Sequence, residues 1–286
     1  MRDLHPIRDY GLVLAIDNSR KDEVVNLVTK VGPLVDGIKL GVPTLLANGV
    51  SIVGRVRDFY DGPLIADLKV ADIGIKPRGE ADGWSGTNRS IVETAVSAGI
   101  EYVICHTIVG TSSIEECIAA AHSLGGRVLT LPYMTHEGAG LLFDHPLDSA
   151  HVSKTLEGQG MGRVGGRILE LAREKKAAPT GTWRSRQVTV SDLILLLGEE
   201  LGVDGYIGPA NHLGVLRDYR RLTERFVMAT GVGRQGGSVR EVFLELGEKS
   251  AAIVGHAITA APDPINACEG LAAERDAARK EARKGM

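Results

Sequence analysis

The sequence predicts an α/β protein built as a (β/α)8 barrel, and three observations carry that prediction. Eight short runs rich in Val, Ile and Leu recur along the chain. None alternates apolar with polar residues, the pattern of parallel strands covered on both faces. Helix-length segments with a 3.6-residue period separate most of them, so strand and helix take turns as a barrel of this class requires. A doubly wound open sheet is the architectural alternative. The 286-residue length suits a single barrel domain over residues 1–286.

In order, strands are expected at GLVLAID (11–17), VDGIKLG (35–41), PLIADLK (63–69) and EYVICH (101–106), then at RVLTLP (127–132), DGYIGP (204–209), RFVMATG (225–231) and AAIVGH (251–256). A representative helix is SIVETAVSAG (90–99), which Gly99 stops. Two insertions break the repeat, a Gly/Pro-rich charged loop at 74–86 and a long segment at 140–187 with one extra helix near 163–176. Both follow strand C-terminal ends, the face on which barrel active sites form. Segments of this length are lids or disordered connections, and the sequence leaves both open. The tail, EGLAAERDAARKEARKGM, is expected to be a charged, solvated helix.

Hydrophobic residues make up 43% and charged residues 24% of the chain, an ordinary globular balance. With a net charge of -3 and no Lys/Arg stripe, it offers neither a nucleic-acid nor an anionic-membrane surface. There is no apolar signal region and no apolar run long enough to span a bilayer, so the expected location is cytoplasmic. Cys105, Cys117 and Cys268 form no CxxC pair and are expected to be small apolar fillers. His106 and His136 lack a ligand spacing with a second His or Cys, so no metal site is expected there.

The chemistry is concentrated in LIADLKVADIG (64–74), where an apolar strand delivers Asp67, Lys69 and Asp72 within six positions. Asp17 ends the first strand and Lys39 falls late in the second. In a barrel these five charges meet at one rim. Charges in a low-dielectric interior must pair, so a catalytic constellation is favoured over a ring of structural ion pairs. Late in the chain, ATGVGRQGG (229–237) and IVGHAI (253–258) follow strands seven and eight, the usual phosphate cradle of such barrels. Glycine lets backbone N–H groups approach phosphate oxygens, and Arg234 can add a charge-assisted hydrogen bond. The expected ligand is a phosphorylated small molecule.

DLKVADI resembles the D-x-K-x-x-D-I signature of orotidine 5'-monophosphate decarboxylases. LAIDNS (14–19), GIKLG (37–41), TN (87–88), MTHEGA (134–139) and GVGRQGG (231–237) resemble that family's other motifs in the same order. The resemblance covers about 14–139 and 190–268, with the two insertions outside it. It implies release of CO2 from orotidine 5'-monophosphate and protonation at C6, with neither metal nor organic cofactor. Lys69 matches the family's proton donor and Asp67 the carboxylate beside the departing group. Lys39 matches the lysine that contacts ribose and orders the charges, and Asp17 the aspartate on a ribose hydroxyl. Asp72, with Thr87, matches the residues that reach into the partner's site of a homodimer, and Ile73, at the end of the signature, is expected to bind substrate. Thr135 stands where the family more often has serine against the pyrimidine, and Gln235 matches the glutamine bridging base and phosphate.

Gly233, Arg234, Gly255 and His256 match the phosphate-binding loops, with His256 in place of the family's usual arginine. Two readings of that change stay open. Arg234 compensates from the neighbouring loop, or His256 is packed and backbone amides carry the phosphate. Two alternative functions also stay open. One is a magnesium-dependent sugar-phosphate enzyme of the 3-hexulose-6-phosphate synthase type, whose second strand carries a glutamate ligand where this chain has Lys39. The other is a non-catalytic nucleotide binder on the same scaffold.

Overall fold

The computed structural model describes residues 6–74 and 86–284. Eight parallel strands close into a barrel in chain order: β1 (Gly11–Ile16), β2 (Gly37–Gly41), β3 (Leu64–Val70), β4 (Tyr102–Cys105), β5 (Arg127–Thr130), β6 (Gly205–Pro209), β7 (Phe226–Thr230) and β8 (Ser250–Val254). Each lies within two residues of its expected ends, and β8 pairs with β1, which rules out the open sheet.

Leu12, Leu14 and Ile16 of β1 face the surrounding helices, whereas Val13 and Ala15 face the barrel interior with Ile65, Ile104, Leu129 and Met228. Both faces are buried, so the strands read as continuous apolar runs.

The helices are α1 (Lys21–Val31), α2 (Val42–Asn48), α3 (Ser51–Arg57), α4 (Thr87–Ser97), α5 (Thr111–Ser123), α6 (Ala139–Phe143), α7 (Ser149–Gly158), α8 (Gly162–Ala177), α9 (Val190–Leu201), α10 (Leu213–Leu222), α11 (Val239–Leu246), α12 (His256–Thr259) and α13 (Pro264–Lys284). Gly99, with a φ of +105°, lies just beyond the end of α4 as expected. No described helix is long and apolar enough to cross a membrane. The three cysteines are free and buried, as expected of fillers.

Two expectations need correction. The 140–187 segment is ordered and holds α7 and most of α6 as well as the expected helix, which is α8. The Asp148 carboxylate caps α7 by accepting from the N–H groups of Ala150 and His151. Val152 and Leu156 on α7 then pack against Val164, Ile168 and Leu171 on α8, making a small core of their own. The tail is also not simply solvated. Cys268 and Ala278 of α13 are buried in the main core, and Arg275 donates to Asp36 at 3.1 Å, so the helix packs along the barrel. The expected 74–86 loop falls on residues 75–85, outside the described residues.

A buried ion pair joins the inserted hairpin to the barrel. Lys175 of α8, whose side chain is 0% exposed, donates to Asp192 of α9 at 2.7 Å. Asp192 also accepts from the Thr189 N–H and hydroxyl, closing the capping box that starts α9. Trp183 presents its ring to both Lys175 and Arg221, at 5.0 and 5.3 Å. Removing one partner strands a charge in the core, so Asp192→Ala is expected to cost about 3–5 kcal/mol. Urea unfolding of the variant beside wild type measures that loss.

Candidate active site

The inward positions of β2 and β3 carry the ionisable groups. Lys39 is an interior residue of β2 whose register neighbours are Ala15 on β1 and Ile65 on β3. The small Ala15 leaves space for the lysine stem. Strand β3 is irregular where its charges lie. Its pairing with β4 slips between Ala66 and Val70, and Lys69 has a φ of +48°. A lysine in the left-handed region costs roughly 1–2 kcal/mol, held here by the surrounding sheet.

Asp67 is the hub. Its Oδ1 accepts from Lys69 Nζ at 2.7 Å, and its Oδ2 forms a short salt bridge with Lys39 Nζ. The side chains of Lys39 and Asp67 are 8% and 13% exposed, while Lys69 is 38% exposed and faces the opening. Burial works to raise the Asp67 pKa, but the charges and hydrogen bonds of the two ammonium groups outweigh it. The carboxyl stays below its ordinary value. Burial first, and then the Lys69 charge, lower the pKa of His106 at the end of β4, so it adds no competing cation at neutral pH.

Lys39, Asp67 and Lys69 line a cavity together with Ile104, Tyr133, Thr135 and Thr230. Two cations against one carboxylate leave its polar wall net positive. The rest of the lining is mostly apolar, which suits a flat ring carrying an acidic group.

Of the five charges expected to converge, three form the ion-paired cluster. Asp17 directly follows the neighbouring strand with its carboxylate against Gly41, where a Cβ would collide with it, so the position suits glycine. Asp72 stands apart and exposed, its carboxylate accepting from the Ile73 N–H at 2.7 Å. Ile73 is exposed and Thr87 opens α4 on the surface. Buried Asn88, which motif matching did not single out, ties these together. Its Oδ1 accepts from the Asp72 N–H, and its Nδ2 donates to the carbonyls of Asp72 and Ile73, all at 3.0–3.1 Å. The TN dipeptide was the signal for it.

The β7 loop is tight: Gly231, Gly233 and Gly236 all have positive φ, and Gly233 N–H donates to Gly237 O at 2.8 Å. A Cβ on Gly233 would lie 3.2 Å from the Ala257 Cβ, so the loops after β7 and β8 touch. Arg234, Gln235 and His256 are all exposed on this rim, with Gly255 half-buried below. His256 is therefore not packed away. Two further residues were missed. Tyr133 lines the cavity, and Asn211, beyond β6, donates to the Thr135 carbonyl at 3.1 Å while its buried Oδ1 has no partner among the described residues.

A family model described as "Orotidine 5'-phosphate decarboxylase / HUMPS family" matches residues 11–271. The chain is 28% identical to the orotidine 5'-phosphate decarboxylase of Methanosphaera stadtmanae, covering 91% of this chain and 94% of that one. It is 29% identical to that of Methanosarcina barkeri, covering 93% and 95%. Among solved structures, orotidine 5'-phosphate decarboxylase from Pyrococcus horikoshii OT3 superposes with a TM-score of 0.65 at 25% identity, covering 93% of this chain and 99% of that one. The Methanocaldococcus jannaschii enzyme complexed with inhibitor BMP gives 0.69 at 23% identity, covering 93% and 98%, a likeness of fold.

Because the Asp67 pKa is lower in the fold than in the unfolded chain, its stabilisation is complete above about pH 4 and lost as pH falls through the folded value. Asp67→Asn leaves Lys39 without its counter-charge and is expected to lower Tm near neutral pH. That deficit should shrink as pH falls from about 4 through the lowered folded value, beneath which wild-type Asp67 is also neutral. Calorimetry across this range checks both the sign and the window.

Proposed function

The chain belongs to the orotidine 5'-phosphate decarboxylase / HUMPS family, and from that premise we propose that it converts orotidine 5'-monophosphate to uridine 5'-monophosphate and CO2 for pyrimidine biosynthesis, with no metal or organic cofactor. One observation carries the reading: a single buried carboxylate, Asp67, engages two ammonium groups at the cavity wall.

In the proposed reaction the bond from C6 to the carboxylate breaks and its electron pair stays on C6. Lys69 then gives C6 a proton. With no cofactor to absorb the electron pair the barrier is very high, and stabilisation near the top of the ~8–23 kcal/mol range is required. A fixed cation at the reacting carbon supplies both charge stabilisation and the proton. Asp67 holds Lys69 in place and stands beside the departing carboxylate, favouring its loss. Lys39 keeps Asp67 ionised and, with Asp17, contacts ribose. Thr135 meets the pyrimidine, and Gln235 bridges base and phosphate. Gly233, Arg234, Gly255 and His256 receive the phosphate, whose binding energy helps hold the ring against Lys69. The N–H groups of Arg234 and Gln235 donate to no protein acceptor among the described residues, which supports this cradle.

A magnesium-dependent sugar-phosphate activity is disfavoured by the donor set. Both Asp67 oxygens are taken by ammonium groups, whereas Mg²⁺ needs oxygen ligands free of competing cations. Asp72 and Thr87 are assigned to the partner's site in a cytoplasmic homodimer, with Ile73 beside them against the substrate. Support comes from Ile73, Ile108 and Val109, exposed apolar residues on the loops after β3 and β4.

The first test is loss of orotidine 5'-monophosphate absorbance in an EDTA-treated sample, with Lys69→Ala as control. Decay in wild type and a loss of at least several thousand-fold in the variant is the expected result; no decay in either redirects attention to Mg²⁺ with sugar phosphates or to a silent binder. A second test mixes Lys69→Ala with Asp72→Ala after dissociation and reassembly. If sites are shared, two inactive variants regain activity in mixed dimers, and a mixture that stays inactive refutes the shared site.

A further inference from the structure

Tyr133 follows β5, is 4% exposed, and lines the cavity beside Met134 and Thr135. Its surroundings come largely from the 140–187 insertion. Its hydroxyl donates to Asp144 Oδ2 at 3.0 Å, and the Arg184 guanidinium lies over its ring at 5.3 Å. Arg184 also forms a short salt bridge with Asp144 Oδ1. Phe143 packs against the same ring at 5.4 Å. Backbone spacing is fitted to this contact. A Cβ on Gly140 would lie 2.8 Å from Asp144 Oδ2 and 3.4 Å from the Tyr133 hydroxyl.

Arg184 is itself anchored from behind. Its N–H donates to Asp218 Oδ1 at 3.5 Å, and its Nε lies 3.8 Å from Asp218 Oδ2 on α10, where Asp218 is buried. Two residues beyond Tyr133, Asn211 holds the Thr135 carbonyl. The wall segment 133–135 is thus gripped at one end by the insertion and at the other by the β6 loop.

We propose that Asp144 and Arg184 are positioning residues that fix the Tyr133 wall, and through it Thr135, so that the insertion is a buttress of the substrate pocket. The role rests on the functional reading above. The Asp144 side chain is 42% exposed, so its ion pair with Arg184 adds little to stability. Its effect is on geometry. A wall contact made equally in ground and transition states changes KM and spares kcat.

Steady-state kinetics on the full chain, with Tm measured alongside, tests this. Asp144→Ala and Arg184→Gln are each expected to raise KM for orotidine 5'-monophosphate roughly tenfold, with kcat within about threefold of wild type. Arg184→Lys, which keeps the charge and stem, should recover part of the loss and covers the case in which Arg184→Gln fails to fold. If Asp144 acts through the tyrosine hydroxyl, Tyr133→Phe/Asp144→Ala raises KM no further than Asp144→Ala alone. An active wild type whose KM survives these substitutions, or single effects that multiply in the double variant, overturns the buttress alone. A wild type that leaves the nucleotide unchanged overturns the functional reading and the buttress with it.

Discussion

The mouth of the barrel depends on one carboxylate shared by two ammonium groups. Lys39 lies almost wholly inside the barrel, where its ammonium group is paired with Asp67. Asp67 stays ionised for the reciprocal reason, since the two cations outweigh its burial. Removing Asp67 strands Lys39, whereas removing Lys39 leaves Asp67 with Lys69 as its one cation partner in the cluster. Lys69 shares the same carboxylate but stands at the opening, so the buried pair orients a third group that faces solvent and ligand. Stability and the proposed chemistry therefore draw on the same three side chains.

The scaffold around this cluster is tuned to it. Ala15 beside Lys39 is small, Gly41 beside Asp17 has no side chain to collide with, and β3 leaves regular pairing where Asp67 and Lys69 project. The irregular backbone has a cost, and the closed sheet on either side holds it. Beyond β3, Asn88 makes hydrogen bonds like those of a backbone neighbour and gives the Asp72–Ile73 turn a defined shape at the surface.

The 140–187 segment adds a second layer over one sector of the same face. Its helical hairpin has its own apolar core, is joined to α9 by the Lys175–Asp192 pair, and touches the cavity wall through Asp144 and Arg184. Such a segment transmits rigidity to the pocket, whereas a lid would need few buried contacts.

The eight strands, their order and the glycines of the β7 loop were legible in the chain itself, because parallel strands buried on both faces read as apolar runs and tight turns demand glycine. The charged stretch was legible too, since Asp67, Lys69 and Asp72 close an apolar run, but only the structure shows that Asp67 and Lys69 join the ion-paired cluster while Asp72 stands apart. Hairpin helix α7 went unread because Val152 and Leu156 are too few to announce an amphipathic helix without α8 opposite them. The tail looked solvated because its packed residues, Leu271 and Ala278, make a weak stripe that only contact with the barrel reveals. Tyr133 and Asn211 carry no motif of their own, and their significance comes from partners 11 and 76 positions away in the chain. Local pattern determines what each segment is, because periodicity and turn chemistry are short-range. Which carboxylate meets which ammonium group, and which tyrosine is braced by which insertion, is decided only when barrel closure brings distant residues within hydrogen-bonding distance.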